Sequence, residues 1–181
     1  MKISLLLLIV TSLYSQSIDN LLNLFEKGEF KTVCQEGMGK VMRGNIDEDF
    51  IGVVGIACAE VDYINPLGII QKSLKSTKNG RENAVYFSNL ILQKKLIYHF
   101  MVDGRELSYL RLPDSSHILS VIFRHLSTEK YKTIKESPKE IKFSEDGKTY
   151  KLTLSVKDKP NKVFVDVYDV NGKKIESHWY R

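Results

Sequence analysis

Asp114, Ser115 and His117 place an acid, a hydroxyl nucleophile and a base close together in the chain. These are the residue types of a hydrolytic triad, but triad members meet through folding, and neighbours on a helix point in different directions. Because Pro113 and Asp114 introduce a predicted helix, the sequence favours a capping role, in which Asp114 or Ser115 accepts hydrogen bonds from free backbone N–H groups. The alternative is a hydrolase whose dispersed residues gather in a deep pocket, with Asp114, His117 and Glu106 as candidates.

The other residues that could bind a metal or a cofactor lack the spacing that such sites need. His117 and His125 are two helical turns apart, whereas a metal pair on a helix is spaced by about four residues. Cys34 and Cys58 are far apart in sequence and have no second cysteine or histidine pair beside them. The sequence also contains no glycine-rich phosphate loop and no EF-hand spacing. It therefore predicts no catalytic residue, no metal and no cofactor.

Cys34 and Cys58 are the two cysteines of the chain. In an oxidising compartment they could form one disulfide that closes a loop of about 25 residues and adds roughly 3 kcal/mol to stability. Two free, buried cysteines are the alternative. The residues by themselves leave both states open.

The first residues have the organisation of a secretory signal peptide. Met1-Lys2 supplies a positive start, Leu5 to Val10 is an unbroken apolar run, and Ser15 to Ser17 offers small residues for cleavage. The apolar run is shorter than the roughly 20 residues that a membrane-spanning helix needs. We therefore expect residues 1–17 to be removed, leaving a periplasmic or secreted chain without stable membrane insertion. An uncleaved membrane anchor is the alternative.

The charge balance is mildly positive, with 27 Lys+Arg against 22 Asp+Glu. This small excess, together with the expected export, argues against nucleic acid as a partner. Two basic clusters could contact phosphates or anionic glycans, although such runs are usually solvated faces. The clusters are Lys72, Lys75, Lys78 and Arg81, and Lys130, Lys132, Lys135, Lys139 and Lys142.

The spacing of apolar residues, which indicates the secondary structure that positions these side chains, changes near Ser137-Pro138. Before this point apolar residues recur at three- and four-residue spacing, which predicts helices, and after it they alternate, which predicts strands. Asp47 predicts a helix N-cap, and Asn65-Pro66 predicts the start of a helix that Asn79-Gly80 ends. We therefore predict antiparallel helical hairpins over residues 18–130.

A period is visible in the helical region. Gly28-Glu29-Phe30 and Val61-Asp62-Tyr63 each lie at a predicted bend between two helices, with an acidic residue followed by an aromatic one. A repeat of about 34 residues with two helices per unit predicts a stacked array. With Phe50 as the bulky start of a first helix, residues 17–77 resemble the tetratricopeptide repeat, and we expect a third unit over residues 81–126.

This resemblance implies the positions of two sets of residues. In its register Cys34 and Cys58 lie on neighbouring helices, so their sulfur atoms could meet. It also implies a concave binding surface on the first helices of the units, where Phe50, Val54 and Tyr86 lie. A place in the hydrophobic core explains these three residues at least as well as a place on the binding surface.

In residues 139–181 apolar and polar residues alternate, as they do in antiparallel strands. Asp146-Gly147 and Asn171-Gly172 are tight-turn signals, and the second is the strongest hairpin signal in the chain. The sequence predicts a four-stranded antiparallel β-meander here, with residues 131–138 as a lysine-rich linker. The predicted fold class is therefore α+β, with helical hairpins followed by a small sheet.

These observations favour an exported, non-enzymatic interaction module that presents a helical surface to a protein or peptide partner in the cell envelope. An envelope hydrolase is one alternative. An inhibitor or adaptor that acts through the sheet is the other, with Trp179 and Tyr180 near the C-terminus as contact residues. The residues predict neither the oligomeric state nor the identity of the partner.

Overall fold

The computed structural model describes residues 18–44 and 47–181. The predicted signal peptide, residues 1–17, lies outside the described residues. The described residues divide into two compact units, with the boundary between Ser88 and Asn89. We call residues 18–88 the helical unit and residues 89–181 the sheet unit. Within the described part of the chain, no helix combines the length and the apolar character that crossing a membrane requires.

The helical unit consists of helices joined by tight connections. They are α1 at residues 18–26, α2 at Phe30–Arg43, α3 at Glu48–Glu60, α4 at Leu67–Ser73, and the first part of α5, which spans Lys78–Asp103. Asp47 caps α3 as predicted, because its side chain accepts a hydrogen bond from the Phe50 N–H at 2.9 Å.

The helix predicted to run from Asn65-Pro66 to Asn79-Gly80 is divided in the structure. α4 ends at Ser73, and α5 begins at Lys78. The Thr77 hydroxyl accepts a hydrogen bond from the Gly80 N–H at 2.9 Å, as the side chain of an N-cap residue does. Asn79 and Gly80 therefore lie in the first turn of α5, and the prediction that they end a helix is corrected.

Small residues let the helices of this unit approach one another closely. A Cβ at Gly37 of α2 would lie 2.5 Å from a methyl carbon of Val54 in α3. A Cβ at Gly55 of α3 would lie 2.3 Å from the ring of Phe87 in α5. Because these distances leave no room for a side chain, the two glycines set how closely α3 packs on its neighbours.

The sheet unit contains the second part of α5, helix α6 and an antiparallel sheet. α6 spans Ile118–Ser127, and the strands are β1 at Lys132–Glu136, β2 at Lys139–Glu145, β3 at Lys148–Ser155, β4 at Lys162–Tyr168 and β5 at Lys174–Tyr180. The strands lie side by side in sequence order. The α+β class is therefore confirmed, with five strands where the sequence predicts four.

The additional strand, β1, occupies most of the predicted linker. Lys132 lies opposite Lys142 of β2, and Glu136 lies opposite Lys139. Four of the five β1 residues are exposed, so the alternation that reveals a half-buried strand is missing from this part of the sequence. Lysine-rich edge strands are common because their charge opposes pairing with other chains. The prediction of four strands after a linker at residues 131–138 is thus corrected to five strands.

The sheet has one apolar face and one largely polar face. Alternate residues of β2, β3 and β4 are buried on the apolar face: Ile141, Phe143, Tyr150, Leu152, Leu154, Val163, Val165 and Val167. On the other face, Lys142, Lys151 and Asp166 are cross-strand neighbours. This alternation is what a sheet packed on one side only produces.

Candidate functional site

The structure buries three of the five predicted contact residues. Phe50 and Val54 lie in the core of the helical unit, and Tyr180 of β5 is only 3% exposed. Buried side chains are not accessible to a partner. The prediction that these three residues contact a partner is therefore corrected. Tyr86 is half-buried. Trp179 precedes Tyr180 on β5, so its side chain lies on the opposite face of the sheet. It is 49% exposed.

The cap of α6 differs from the one predicted. His117 holds the N-cap position, and its Nδ1 accepts a hydrogen bond from the Leu119 N–H at 3.1 Å. The Asp114 carboxylate accepts instead from the Ser115 N–H at 3.0 Å, ahead of the helix. The helix therefore begins later than the prediction of an Asp114 or Ser115 cap requires.

The candidate hydrolase residues have separate hydrogen-bonding partners. The Glu106 carboxylate accepts a hydrogen bond from the Ser108 hydroxyl, and Asp114 forms an ion pair with Arg124. His117 uses a ring nitrogen to cap α6. These contacts do not assemble the three side chains into a catalytic group.

Cys34 of α2 and Cys58 of α3 lie at disulfide bonding distance. Their Sγ atoms are 2.10 Å apart and their Cα atoms 4.8 Å apart. Cys34 lies near the start of α2 and Cys58 near the end of α3, so the bond joins two antiparallel helices. Both residues are almost fully buried. Of the two states that the sequence leaves open, the structure has the bonded one.

A groove of about 430 Å³ opens beside this disulfide, and we call it the α2–α3 groove. Among the described residues, the groove is lined by Lys31, Cys34 and Gln35 of α2 and by Val61 and Tyr63, which follow α3. Val61 is 37% exposed and Tyr63 is 54% exposed. Ligand sites in proteins usually have volumes of about 300 to 1,000 Å³. Exposed apolar side chains at a concave surface mark interaction sites, so this groove is the candidate functional site.

The backbone after α3 fixes the position of Tyr63. The Tyr63 N–H donates to the Cys58 carbonyl at 2.8 Å, and the Asp62 N–H donates to the Ala59 carbonyl at 3.0 Å. Asp62 has a φ of 58°. This is the Schellman motif that ends many helices, with aspartate at the left-handed position that glycine usually takes. Tyr63 is thereby tied to the residue that carries one half of the disulfide.

A carboxylate fixes the opposite end of α3. Glu48 accepts hydrogen bonds from the N–H groups of Lys75 at 2.8 Å, Ser76 at 2.7 Å and Thr77 at 3.0 Å. These bonds, the one from Thr77 first, lower the pKa of Glu48 to about 2 because they stabilise the charged form. The Arg81 guanidinium donates to the carbonyls of Lys75 and Ser76. The two ends of α3 are therefore held by different interactions.

The sheet unit contains a histidine whose two ring nitrogens are both occupied. His125 Nδ1 lies 2.9 Å from the Lys130 carbonyl oxygen, and Nε2 lies 2.5 Å from the Glu145 carboxylate. Glu145 also pairs with Arg124, which pairs in turn with Asp114. His125 is thus not available as a base or a metal ligand in this arrangement. Among the residues that the structure describes, no group of three histidine, cysteine or acidic side chains could hold a metal ion.

Comparison of the chain with protein-family models, curated proteins and solved structures finds no significant match. The function is therefore inferred from the geometry of the two units.

The sequence marks Val61-Asp62-Tyr63 as a helix bend but not as part of a binding surface. Their exposure depends on how α2 packs on α3, since the bend follows α3 and borders the same groove as Cys34. The local signal is an aromatic residue directly after a helix end, at a position where an apolar side chain often packs on the last turn of the helix. Such a position identifies a candidate surface only when the neighbouring helix is known.

Proposed function

We propose that the protein is an exported, non-enzymatic interaction module whose α2–α3 groove binds a segment of a protein or peptide partner. The observation that carries this proposal is the exposure of Tyr63 and Val61 in a groove beside a disulfide. Tyrosine is common at the energetic centres of interfaces because it adds a large apolar area and a hydroxyl at low entropic cost.

A tetratricopeptide-like organisation of the helical unit is part of this proposal. Gly28, with a φ of 77°, follows the end of α1, and Asp62, with a φ of 58°, follows the end of α3. In both places the next residue donates its N–H to a carbonyl of the last helical turn, Glu29 to Leu24 and Tyr63 to Cys58. Equivalent helix ends in successive helix pairs support a repeated unit.

The chemistry of the groove indicates what the partner segment carries. Val61 and Tyr63 offer apolar contact, while Lys31 adds a positive charge at the edge. No carboxylate lies within ion-pair distance of Lys31 among the described residues. We expect the groove to bind an apolar side chain with an acidic residue next to it.

The disulfide supports the proposed export to the periplasm or the extracellular space. Disulfides persist in oxidising compartments and are reduced in most cytosols. The bond between Cys34 and Cys58 is buried between two packed helices, as is typical of a structural disulfide. Mass spectrometry of the protein isolated from its native cells, after alkylation of free thiols, would show whether Cys34 and Cys58 are bonded and whether residues 1–17 are removed.

The experiment for the groove compares two tyrosine variants in affinity capture from the native envelope fraction. Tyr63→Ser removes the main apolar contact of the groove, and we expect recovery of the specific partner to fall by at least about tenfold. Tyr109→Ser is the matched control, because Tyr109 is 60% exposed in the sheet unit. Equal recovery with wild type and both variants would exclude the α2–α3 groove as the binding surface.

A second candidate function, an adaptor or inhibitor that acts through the sheet, is favoured by the surroundings of Trp179. Trp179 lies opposite Phe164 on the neighbouring strand, and the Lys162 Nζ lies 5.0 Å from the centre of its ring. Trp179→Ala tests this function in the same capture assay. Loss of the partner with Trp179→Ala but not with Tyr63→Ser would assign the interaction to the sheet.

A further inference from the structure

A second cleft lies where β1 and β2 meet the end of α6, and we call it the basic cleft. It has a volume of about 430 Å³. The side chains that matter for its chemistry are Lys130, Tyr131, Lys132, Lys142, Ser144 and Thr149. All of them belong to the sheet unit, so the cleft is independent of the α2–α3 groove.

The lysines of the cleft differ from the lysines of β2 to β5 that lie outside it, because no partner is found for them among the residues that the structure describes. On β2 to β5, Lys148, Lys151, Lys162 and Lys174 each form an ion pair, and Lys139 lies 3.9 Å from the centre of the Phe100 ring. Lys142 is the exception on these strands. Among the described residues, Lys130, Lys132 and Lys142 have no carboxylate within ion-pair distance.

The register of the sheet brings two of these charges together. Lys132 of β1 and Lys142 of β2 are direct cross-strand partners. Like charges in this position repel each other and oppose strand pairing. The next residue in the same row, Lys151, is neutralised by Glu140 at 3.0 Å. The repulsion between Lys132 and Lys142 is therefore uncompensated within the described chain.

Hydroxyl groups accompany the lysines. The Ser144 and Thr149 hydroxyls lie 3.1 Å apart on neighbouring strands. Burial raises the pKa of Tyr131, and the charges of Glu129 and Glu136 raise it further. The Tyr131 hydroxyl therefore keeps its proton at neutral pH and can donate a hydrogen bond. Ammonium and hydroxyl groups together are common donors to phosphate oxygens in proteins.

One carboxylate also lines the cleft. Glu129 follows α6, its N–H donates to the Leu126 carbonyl at 3.3 Å, and its φ is 56°. With three lysines against this glutamate, the described lining keeps an excess of positive charge. An anion with more than one charge matches this excess better than a singly charged one.

We propose that the basic cleft binds a phosphate group, with the ammonium groups of Lys132 and Lys142 on either side of it and Lys130 at the edge. The hydroxyls of Ser144 and Thr149 lie beside this position. The phosphate belongs either to a soluble phosphorylated compound or to a lipid headgroup.

The first test is a titration of the isotopically labelled protein with inorganic phosphate, followed by NMR at constant ionic strength. We expect saturable shifts of the amide signals of Lys142, Ser144 and Thr149. The variant Lys132→Gln/Lys142→Gln should weaken binding at least about tenfold, as loss of charged hydrogen bonds does. Lys72→Gln/Lys157→Gln is the control with the same net charge, and it should bind like the wild type. Linear, non-saturating shifts, or equal binding by all three proteins, would overturn the proposal.

A stability measurement distinguishes a site that awaits an anion from lysines that are simply solvated. Without phosphate, Lys142→Gln should raise the Tm by roughly 1 to 4 °C, because it removes repulsion between cross-strand charges. In the presence of phosphate, the Tm of Lys142→Gln should no longer exceed that of the wild type. An unchanged Tm in both conditions would contradict the proposed repulsion and its relief by the ligand.

Vesicle sedimentation separates the two sources of phosphate. Co-sedimentation with phosphatidylglycerol vesicles that the Lys132→Gln/Lys142→Gln variant loses would identify a lipid headgroup. Saturable binding of inorganic phosphate without co-sedimentation would identify a soluble phosphorylated compound. Co-sedimentation that both lysine double variants retain, together with no saturable binding of phosphate, would refute the basic cleft as the site.

Discussion

Removing the bond between Cys34 and Cys58 tests how much of the helical unit depends on it. The variant Cys34→Ala/Cys58→Ala keeps both positions small and apolar, whereas serine would bury two hydroxyl groups. The two cysteines are separated by 24 positions. Closing a loop of that length in the unfolded chain is worth about 3 to 4 kcal/mol.

We therefore expect the variant to lose about 3 to 4 kcal/mol of unfolding free energy, which lowers the Tm of a chain of this size by roughly 10 °C. Urea denaturation followed by the helical circular dichroism signal at 222 nm measures this loss. A reducing agent should bring the wild type to the stability of the variant and leave the variant unchanged. A loss below about 1 kcal/mol would refute the entropic reasoning and the structural role of the bond.

The same variant probes the connection between the disulfide and the groove. The Tyr63 N–H donates to the Cys58 carbonyl. If the bond between α2 and α3 holds this helix end in place, amide hydrogen exchange at Tyr63 should become faster in Cys34→Ala/Cys58→Ala. Unchanged exchange at Tyr63 would mean that the Schellman motif positions the groove without help from the disulfide.

Three further predictions concern α3 and its neighbours. The folded-state pKa of Glu48, about 2, lies below its ordinary value of 4.5. Its contribution to stability is therefore present above pH 4.5 and lost as the pH falls towards 2, and Glu48→Gln should flatten the dependence of Tm on pH in this window. Asp62→Ala should lower the free energy of unfolding by at least about 1 kcal/mol, because alanine is strained in the left-handed conformation, and urea denaturation measures it. Gly55→Ala should cost about 1 to 3 kcal/mol since its Cβ would meet the Phe87 ring, whereas Gly39→Ala, which has room for a Cβ, should be neutral or stabilising in the same assay.

Local signals in the sequence predict much of the fold. The α+β class, the Asp47 cap and the meander order all follow from periodicity, cap residues and turn residues. These features depend on a few neighbouring residues, so the chain itself carries their signal. The pairing of Cys34 with Cys58 was one of two states that the sequence allowed.

The features that the sequence does not predict depend on contacts between distant segments. β1 is a strand because it pairs with β2, although its own residues are mostly exposed. Thr77 starts a new helix where Glu48 binds the preceding loop, a contact that no local pattern reveals. Tyr180 is buried because successive residues of a strand face opposite sides of the sheet.

The candidate site also depends on contacts between segments that are distant in the sequence. The sequence identifies the bend at Val61-Asp62-Tyr63, and the packing of α2 on α3 makes part of that bend the wall of a groove. Phe50 and Val54, which the repeat pattern offers as surface residues, are used for packing instead. An apolar residue on a predicted helix can serve either purpose, and its neighbours in the fold decide between them.

Site-specific photo-crosslinking in the native cells tests the central claim, that the α2–α3 groove binds a partner, most directly. Tyr63→benzoylphenylalanine places a photoreactive side chain in the groove, and Tyr109→benzoylphenylalanine places one at a similarly exposed position of the sheet unit. We predict a discrete crosslinked product of higher mass from position 63 after irradiation, and none of that mass from position 109. No product from position 63, or the same products from both positions, would contradict the assignment of the groove as the binding surface.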